Sequence, residues 1–261
     1  MSSSPTPPEM EARLRAARDD RRTLTPPSDA WPDLDEAWGY AVQDVDREQR
    51  VGGGDRLIGA KLGLTSAAKQ QRMGVDRPIV GFLTASMQVD ADGLAAGMSR
   101  WAQPRIEPEI AFVTATDLHR GLADDELAAA VASVSVAAEV IDSRWTGYRF
   151  RLPDVLADNT SAAGLLLGAE QVPLADAGDL AALACRVEVD GELVHEATGA
   201  AILGHPLRAL QLLSEHLERR GEMLPAGSLV LAGALTDAVP LETGRTYRLS
   251  IEQLGTITAT A

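Results

Sequence analysis

Cysteine is almost missing from this 261-residue chain: Cys185 stands alone, so no intramolecular disulfide can form, and a reducing cytoplasm is the expected setting. A single cysteine reads first as a small buried hydrophobe and only then as a nucleophile. Uninterrupted apolar runs of about eighteen residues or more are also lacking, so no membrane span is expected. Aromatic residues make up only 4% of the chain, which leaves aliphatic packing to build the core. Positive charge is scarce as well: 24 Lys+Arg face 38 Asp+Glu, a formal charge of -14 that disfavours nucleic acid and anionic membranes as partners. The first residues, Met1-Ser-Ser-Ser-Pro-Thr-Pro-Pro8, carry no cationic start followed by an apolar stretch, which excludes a signal peptide as their reading. Glycines at 52–54 and at Gly97 show neither GxGxxG nor GKS/T, so a glycine-rich nucleotide cradle has no support. His119, His195, His205 and His216 are scattered and form no pair at metal-ligand spacing.

What is present suggests an α/β or α+β protein with one large domain and a smaller N-terminal part. Residues 1–8 read as a leader, Glu9 to about Arg22 as a charged helix, and the stretch after Asp33 or Asp35 as a second helix ended by Gly52-Gly-Gly54. The glycine run marks the expected boundary. Arg56–Leu64 reads as a strand, with Ser66 able to cap a helix over 67–73. Further β-rich pieces fall near 87–90, 106–114 and 134–142, and a helix is expected over Asp124–Ala132. Asp190-Gly191 between Arg186–Val189 and Glu192–His195 is the strongest hairpin signal. A helix opened by Pro206 runs to about Arg220, with Leu207, Leu210, Leu213, Ser214 and Leu217 on one stripe. Leu229–Leu231, Thr246–Ile251 and Thr256–Thr260, parted by Gly233, Gly244 and Gly255, suggest a closed or rolled β-structure.

The chemistry concentrates in Arg105-Ile-Glu-Pro-Glu-Ile-Ala-Phe-Val113. In an extended chain Glu107 and Glu109 point to the same side, while Ile106, Ile110 and Phe112 point the other way, toward a core. Two unit charges about 4 Å apart repel by roughly 4 kcal/mol at an effective dielectric near 20, so a bound cation would be the simplest compensation. A third acid, Glu139, sits in the apolar stretch Val136-Ala-Ala-Glu-Val-Ile141. Three such carboxylates would suit a hard octahedral cation, Mg²⁺ or Mn²⁺. Alternating acids in a strand also describe an ordinary solvent-facing surface, and spacing leaves both readings open. Lys61, among apolar neighbours, fits an active-site cation or a snorkelling lysine at a strand end. Asp158-Asn-Thr-Ser161, beside the apolar 162–167, reads as a turn or helix cap that could also reach a ligand.

Several motifs then resemble one family. Lys61-Leu-Gly-Leu-Thr-Ser66, Met73-Gly-Val75, Pro104-Arg-Ile-Glu-Pro-Glu-Ile-Ala111, Glu139-Val-Ile-Asp-Ser-Arg144, Ala157-Asp-Asn159, Gly204-His-Pro-Leu207 and Leu231-Ala-Gly-Ala234 are similar to the hydratase/decarboxylase group of the fumarylacetoacetate hydrolase superfamily. The resemblance implies a small N-terminal α/β cap over residues 1–55 and a C-terminal mixed β-roll over 56–261 with the active site at its mouth. It implies ligand roles for Glu107, Glu109 and Glu139, a catalytic role for Lys61, and a divalent metal. Met73, Gly74, Ile79, Leu83 and Ser161 are the expected substrate-positioning residues. The implied activity is metal-dependent decarboxylation of 2-oxo-3-hexenedioate, a carbon–carbon lyase reaction in meta-cleavage aromatic degradation. Hydration of 2-hydroxypenta-2,4-dienoate is the alternative, as is a non-catalytic role beside a hydratase partner. Ile79 favours the decarboxylase, because similar hydratases usually carry Asp there and a carboxylate could help deliver water. A homo-oligomer acting on a small 2-oxo dicarboxylic acid is expected. A C–C hydrolase would need a water-activating Glu–His pair, and no matching His motif lies near Lys61.

Overall fold

Alternation along one strand pair organises the molecule. The computed structural model describes residues 3–66, 70, 71, 73 and 75–261. Strands β1 (Leu57–Gly63), β2 (Ile79–Thr84), β3 (Arg105–Thr114), β4 (Val131–Ile141), β5 (Ala162–Leu167) and β6 (Val172–Pro173) precede a hairpin of β7 (Ala184–Val189) and β8 (Glu192–Thr198). The chain closes with β9 (Leu229–Ala234), β10 (Val239–Pro240), β11 (Thr246–Ile251) and β12 (Gly255–Thr260). Eight strands form a mixed sheet in the order β2-β1-β9-β3-β4-β5, with β10 on β3 and β6 on β4; β1 and β9 run parallel. Four more form the sheet β12-β11-β7-β8.

The long antiparallel pair β3–β4 has one face for packing and one for the site. Ile106, Ile110 and Phe112 of β3 and Val134, Val136, Ala138 and Val140 of β4 join the main core, which also takes Val187, Tyr247, Leu249 and Ile257 from the four-stranded sheet. A helix spanning Leu207–Arg220 lays Ala209, Leu210, Leu213 and Leu217 onto the same core. Its left-handed Gly221 cap ends it where the sequence predicts. Cys185 is part of this packing, and burial pushes its thiol up to about 12, which fits a hydrophobe rather than a nucleophile.

The N-terminal part is helical. Helix α1 spans Pro7–Asp19, and α2 spans Glu36–Gly52, capped by Asp35, whose side chain accepts from the Trp38 N–H at 2.9 Å. The expected α/β cap is corrected here: among the described residues before 56 no strand forms, and the β-like contact is a single bridge, Leu24 to Trp145. Leu24 pairs there because its neighbours on both sides commit to helix or to the Pro26-Pro27 turn, leaving too short a segment for a ladder. Gln43 stitches α2 to the rest, donating to Val80 O and Leu156 O at 3.1 Å each, while Val80 N donates to Tyr40 Oη.

Two further expectations change. The predicted helix at Asp124–Ala132 is a series of turns, because Val131 is already paired with Thr114 and the β-branched run Val131, Val134, Val136 continues β4. The β-rich piece at 87–90 is reduced to one bridge, Gln88 to Leu165, and the strand lies just before it, at β2. Residues 67–69 of the expected 67–73 helix, with 72, fall outside the described residues, as does Gly74.

Close approach of β1 to β9 depends on Gly59. A methyl group there would stand inside hard contact with the Leu229 carbonyl, a backbone atom that cannot swing away. Gly59→Ala is expected to destabilise the protein by about 3 kcal/mol, measured by urea unfolding. A change under about 0.5 kcal/mol would show that the two strands part freely.

Candidate active site

The register of β3 on β4 sets Glu107 directly opposite Glu139, and Glu109 lies two residues along the same face. One ligand atom from each of the three carboxylates can be chosen so that all lie within 4.8 Å of one another. Among the described residues this is the one cluster of acids, histidines or cysteines so arranged. Glu109 and Glu139 are 0% exposed and Glu107 7%, which excludes the solvent-facing reading of the alternation. Glu109 Oε1 and Glu139 Oε1 are buried without a hydrogen-bond partner. Orphaned carboxylate oxygens inside a protein are costly unless a proton or a cation completes them.

Lys61 projects from β1 on the same side of the sheet and is 3% exposed. Its Nζ lies 3.0 Å from Glu139 Oε2 and donates to Thr160 O at 3.2 Å. The snorkelling reading therefore fails, since the amine points into the cluster rather than to water. Burial alone would pull its pKa down, but Glu139, Glu107 and Glu109 outweigh this and hold it above the usual lysine value. Burial acts on the acids in the opposite sense. It raises Glu109 well above the carboxylate range, reinforced by Glu139 and Glu107, and pushes Glu139 up to about 7 despite Lys61. Three carboxylates against one ammonium leave an excess of two negative charges when all are ionised, the charge of one divalent cation.

Two backbone devices support the cluster. Gly233 N donates to Glu109 Oε2 at 2.8 Å from a backbone with φ +113°, where a side chain would collide with Thr65. Asn159, Thr160 and Ser161 form a buried left-handed turn, with φ of 46°, 53° and 64°. Each non-glycine residue so placed costs about 1–2 kcal/mol. Asn159 holds the turn like a strand neighbour, accepting from Phe82 N at 2.9 Å and donating to Phe82 O at 3.0 Å. The Thr160 and Ser161 hydroxyls are buried and unpartnered. Sequence reading flagged the polar 158–161 segment and Ser161 but missed Thr160, Asn159 and Gly233 as site-building residues; the glycine in Leu231-Ala-Gly-Ala234 was the available signal.

The remaining predicted residues divide. Leu83 packs with Ala111, Ala137, Leu165 and Leu231 on the glutamate face. Ile79 joins a second cluster with Tyr40, Val155 and Leu156, against which Met73 also packs. Gly63 links that cluster to the amine: a methyl built on it would stand 3.1 Å from Ile79 Cγ1 and 3.9 Å from Lys61 Nζ.

The fumarylacetoacetate (FAA) hydrolase C-terminal family model matches residues 58–261. The chain belongs to this family. It is 40% identical over 263 residues to 2-keto-4-pentenoate hydratase of Burkholderia vietnamiensis (strain G4 / LMG 22486), covering 100% of this chain and 99% of that one. It is 39% identical over 230 residues to 4-oxalocrotonate decarboxylase of Pseudomonas sp. (strain CF600), covering 88% and 86%. In three dimensions it is similar to 4-oxalocrotonate decarboxylase from Pseudomonas putida G7 complexed with magnesium and adipate: TM-score 0.90, 33% identity, 96% of this chain and 95% of that chain. The family membership and the curled mixed sheet agree with the resemblance read from the motifs. Among the described residues no helix is long and apolar enough to cross a membrane.

Because the pKa values of Glu109 and Glu139 are raised, a cation must displace protons there, and its binding should weaken as pH falls toward and below about 7. The elevated folded-state pKa of Glu139 makes its ionisation in the metal-free protein a destabilising term, absent below about pH 4.5, growing from there to about pH 7 and constant above. Thermal unfolding with and without Mn²⁺ is expected to show a larger metal-induced rise in Tm at pH 8 than at pH 6, and no rise in Glu109→Gln. An equal rise at both pH values would contradict the raised acid pKa values.

Proposed function

We propose that this chain is a divalent-metal-dependent lyase acting on a small unsaturated 2-oxo acid, and that its reaction is decarboxylation of 2-oxo-3-hexenedioate. The observation that carries the reading is the buried trio Glu107, Glu109 and Glu139 with two orphaned oxygens and, among the described residues, Lys61 paired to it. The donor set is all carboxylate, which suits Mg²⁺ or Mn²⁺ over zinc. The likeness to a decarboxylase complexed with magnesium and adipate supports both the ion type and the size of the acid.

When bound, the cation supplies a Lewis acid that draws electron density toward the 2-oxo oxygen of the substrate. The three glutamates hold it, and Gly233 N–H fixes the orientation of Glu109. Lys61, kept as an ammonium by its glutamate neighbours and aimed by Thr160 O, places fixed positive charge at the same centre. As the bond to the distal carboxylate breaks, carbon dioxide leaves and the electron pair passes along the conjugated chain to the 2-oxygen. A proton then completes the enol, and Lys61 Nζ is the group placed to deliver it. Ile79 and Leu83 present apolar surface that excludes water, and the Ser161 and Thr160 hydroxyls are free donors for substrate oxygens. Met73, packed against the Ile79 cluster, belongs to the apolar set assigned to substrate positioning.

Hydration of 2-keto-4-pentenoate is the second reading, favoured by the full-length match at 40% identity to a hydratase. Ile79 favours the decarboxylation reading, since a buried aliphatic side chain cannot activate water.

Purified protein loaded with Mg²⁺ or Mn²⁺ is expected to release carbon dioxide from 2-oxo-3-hexenedioate. Hydration of 2-hydroxypenta-2,4-dienoate without carbon dioxide release from the diacid would replace this reading with the hydratase. Lys61→Met is expected to lower kcat by about two orders of magnitude or more with the metal still bound. Unchanged kcat in that variant would remove Lys61 from the chemistry.

A further inference from the structure

The face that carries the glutamates holds one more charged side chain, of opposite sign. Arg105 opens β3 and pairs in register with Ile141. It shares its side of the strand with Glu107 and Glu109, while Ile106 points the other way and is locked into the core. Exposure rises along this face, from 0% at Glu109 through 7% at Glu107 to a partly exposed Arg105, so the face opens to solvent at the arginine. The guanidinium lies over the ring of Tyr148, 4.2 Å from its centroid. That ring is a fixed platform. Tyr148 Oη has Ile141 O and Gln103 O as acceptors at 2.9 and 3.1 Å, and Gly147 and Tyr148 both hold left-handed backbones, φ 66° and 58°. Glu107 and Arg105 both act on the Tyr148 hydroxyl, in opposite senses, which puts the three side chains in one neighbourhood.

Arg105 has no acid of its own. Among the described residues its side chain makes no hydrogen bond or ion pair. Asp142, the other acid that acts on Tyr148, is already committed to Arg144 and to the backbone N–H groups of Ala102 and Gln103. Stacking occupies the face of a guanidinium and leaves its N–H edge for a planar, bidentate acceptor, which a carboxylate is. Charge balance then selects among the carboxylates of the acid. A divalent cation at the glutamate trio cancels the two negative charges that Lys61 leaves, so the loaded centre is neutral. A 2-oxo acid adds one negative charge, on the carboxylate next to its 2-oxo group, and Arg105 is a cation without a counter-ion on the same face. The distal carboxylate of a diacid is the wrong partner for it: an ion pair there would stabilise the group that departs and would be lost as carbon dioxide forms.

We propose that Arg105 is a specificity-determining residue of the site: its guanidinium, seated on Tyr148, pairs with the carboxylate adjacent to the 2-oxo group of the acid. The assignment rests on the reading of the site as a metal-dependent lyase for 2-oxo acids. It holds for decarboxylation and hydration alike, since both substrates carry a carboxylate on C2. In the diacid it leaves the departing carboxylate unpaired by this arginine.

The test is calorimetric titration of the Mn²⁺-loaded protein with 2-oxohexanoate and with 2-oxohexanedioate, which lack the conjugated double bond and so keep all their carbon. Both acids are expected to bind, and Arg105→Gln to weaken both by the same factor, about tenfold or more. Arg105→Lys, which keeps the charge but not the fork, is expected to fall between the two. With whichever proposed substrate the enzyme turns over, Arg105→Gln is expected to raise KM about tenfold or more at unchanged kcat, the mark of binding shared by ground and transition states. The Mn²⁺-induced rise in Tm is expected to persist in both variants, which shows the fold and the glutamate trio intact. If neither acid bound the loaded parent protein, the 2-oxo acid reading would fall and this assignment with it. Binding in the parent that Arg105→Gln leaves unaltered would overturn the assignment alone. So would a fall in kcat at unchanged KM, or a loss confined to 2-oxohexanedioate, which would move Arg105 to the distal carboxylate.

Discussion

An unbalanced buried charge governs this protein. Three carboxylates share one face of the β3–β4 pair, and among the described residues a single ammonium, that of Lys61, answers them. At separations of a few ångströms in a medium of effective dielectric near 20, each unscreened like pair costs several kcal/mol. The chain spends protons on the deficit when no cation is present, which is why burial raises Glu109 and Glu139 together. A divalent cation removes the same deficit with no residual charge. The site is thus a concentration of negative charge of defined size, fixed in place by a sheet.

The rest of the structure holds that charge in place. The opposite face of β3 and β4 is locked into the main core by Ile106, Ile110, Phe112, Val136 and Val140, so the glutamates cannot rotate away to solvent without exposing that surface. Gly59 lets β1 approach β9 closely enough to bring Lys61 alongside. The left-handed turn at Asn159–Ser161 supplies the carbonyl that aims the amine, and its backbone strain is offset by the paired bonds of Asn159 to Phe82. Helix α2 ties β2 to the segment that leads into the turn, through Gln43 bonded to Val80 O and Leu156 O and Tyr40 accepting from Val80 N.

Much of this was legible in the residues, for physical reasons that differ by element. Strands β3 and β4 and the hairpin at Asp190-Gly191 announce themselves through strict alternation and turn chemistry, and these are local properties. The pairing of Glu107 with Glu139 is a register between strands far apart in sequence, and local pattern leaves it undetermined; family resemblance supplied it. Asp124–Ala132 misleads because helix formers fill it, whereas Val131 is claimed by the ladder to Thr114. Thr160 and Gly233 were missed because a left-handed turn of three non-glycine residues and a backbone donor to a carboxylate both arise from tertiary contacts. The unpaired state of Arg105 was invisible for the same reason: the sequence shows a charge, not the count of its partners.

The central claim is that the glutamate trio encloses one divalent cation. Anomalous diffraction at the manganese edge, from crystals grown with Mn²⁺, tests it directly. The account predicts one strong peak about 2.0–2.3 Å from an oxygen of each of Glu107, Glu109 and Glu139. A peak elsewhere, with those three carboxylates bridged by protons or water instead, would contradict it.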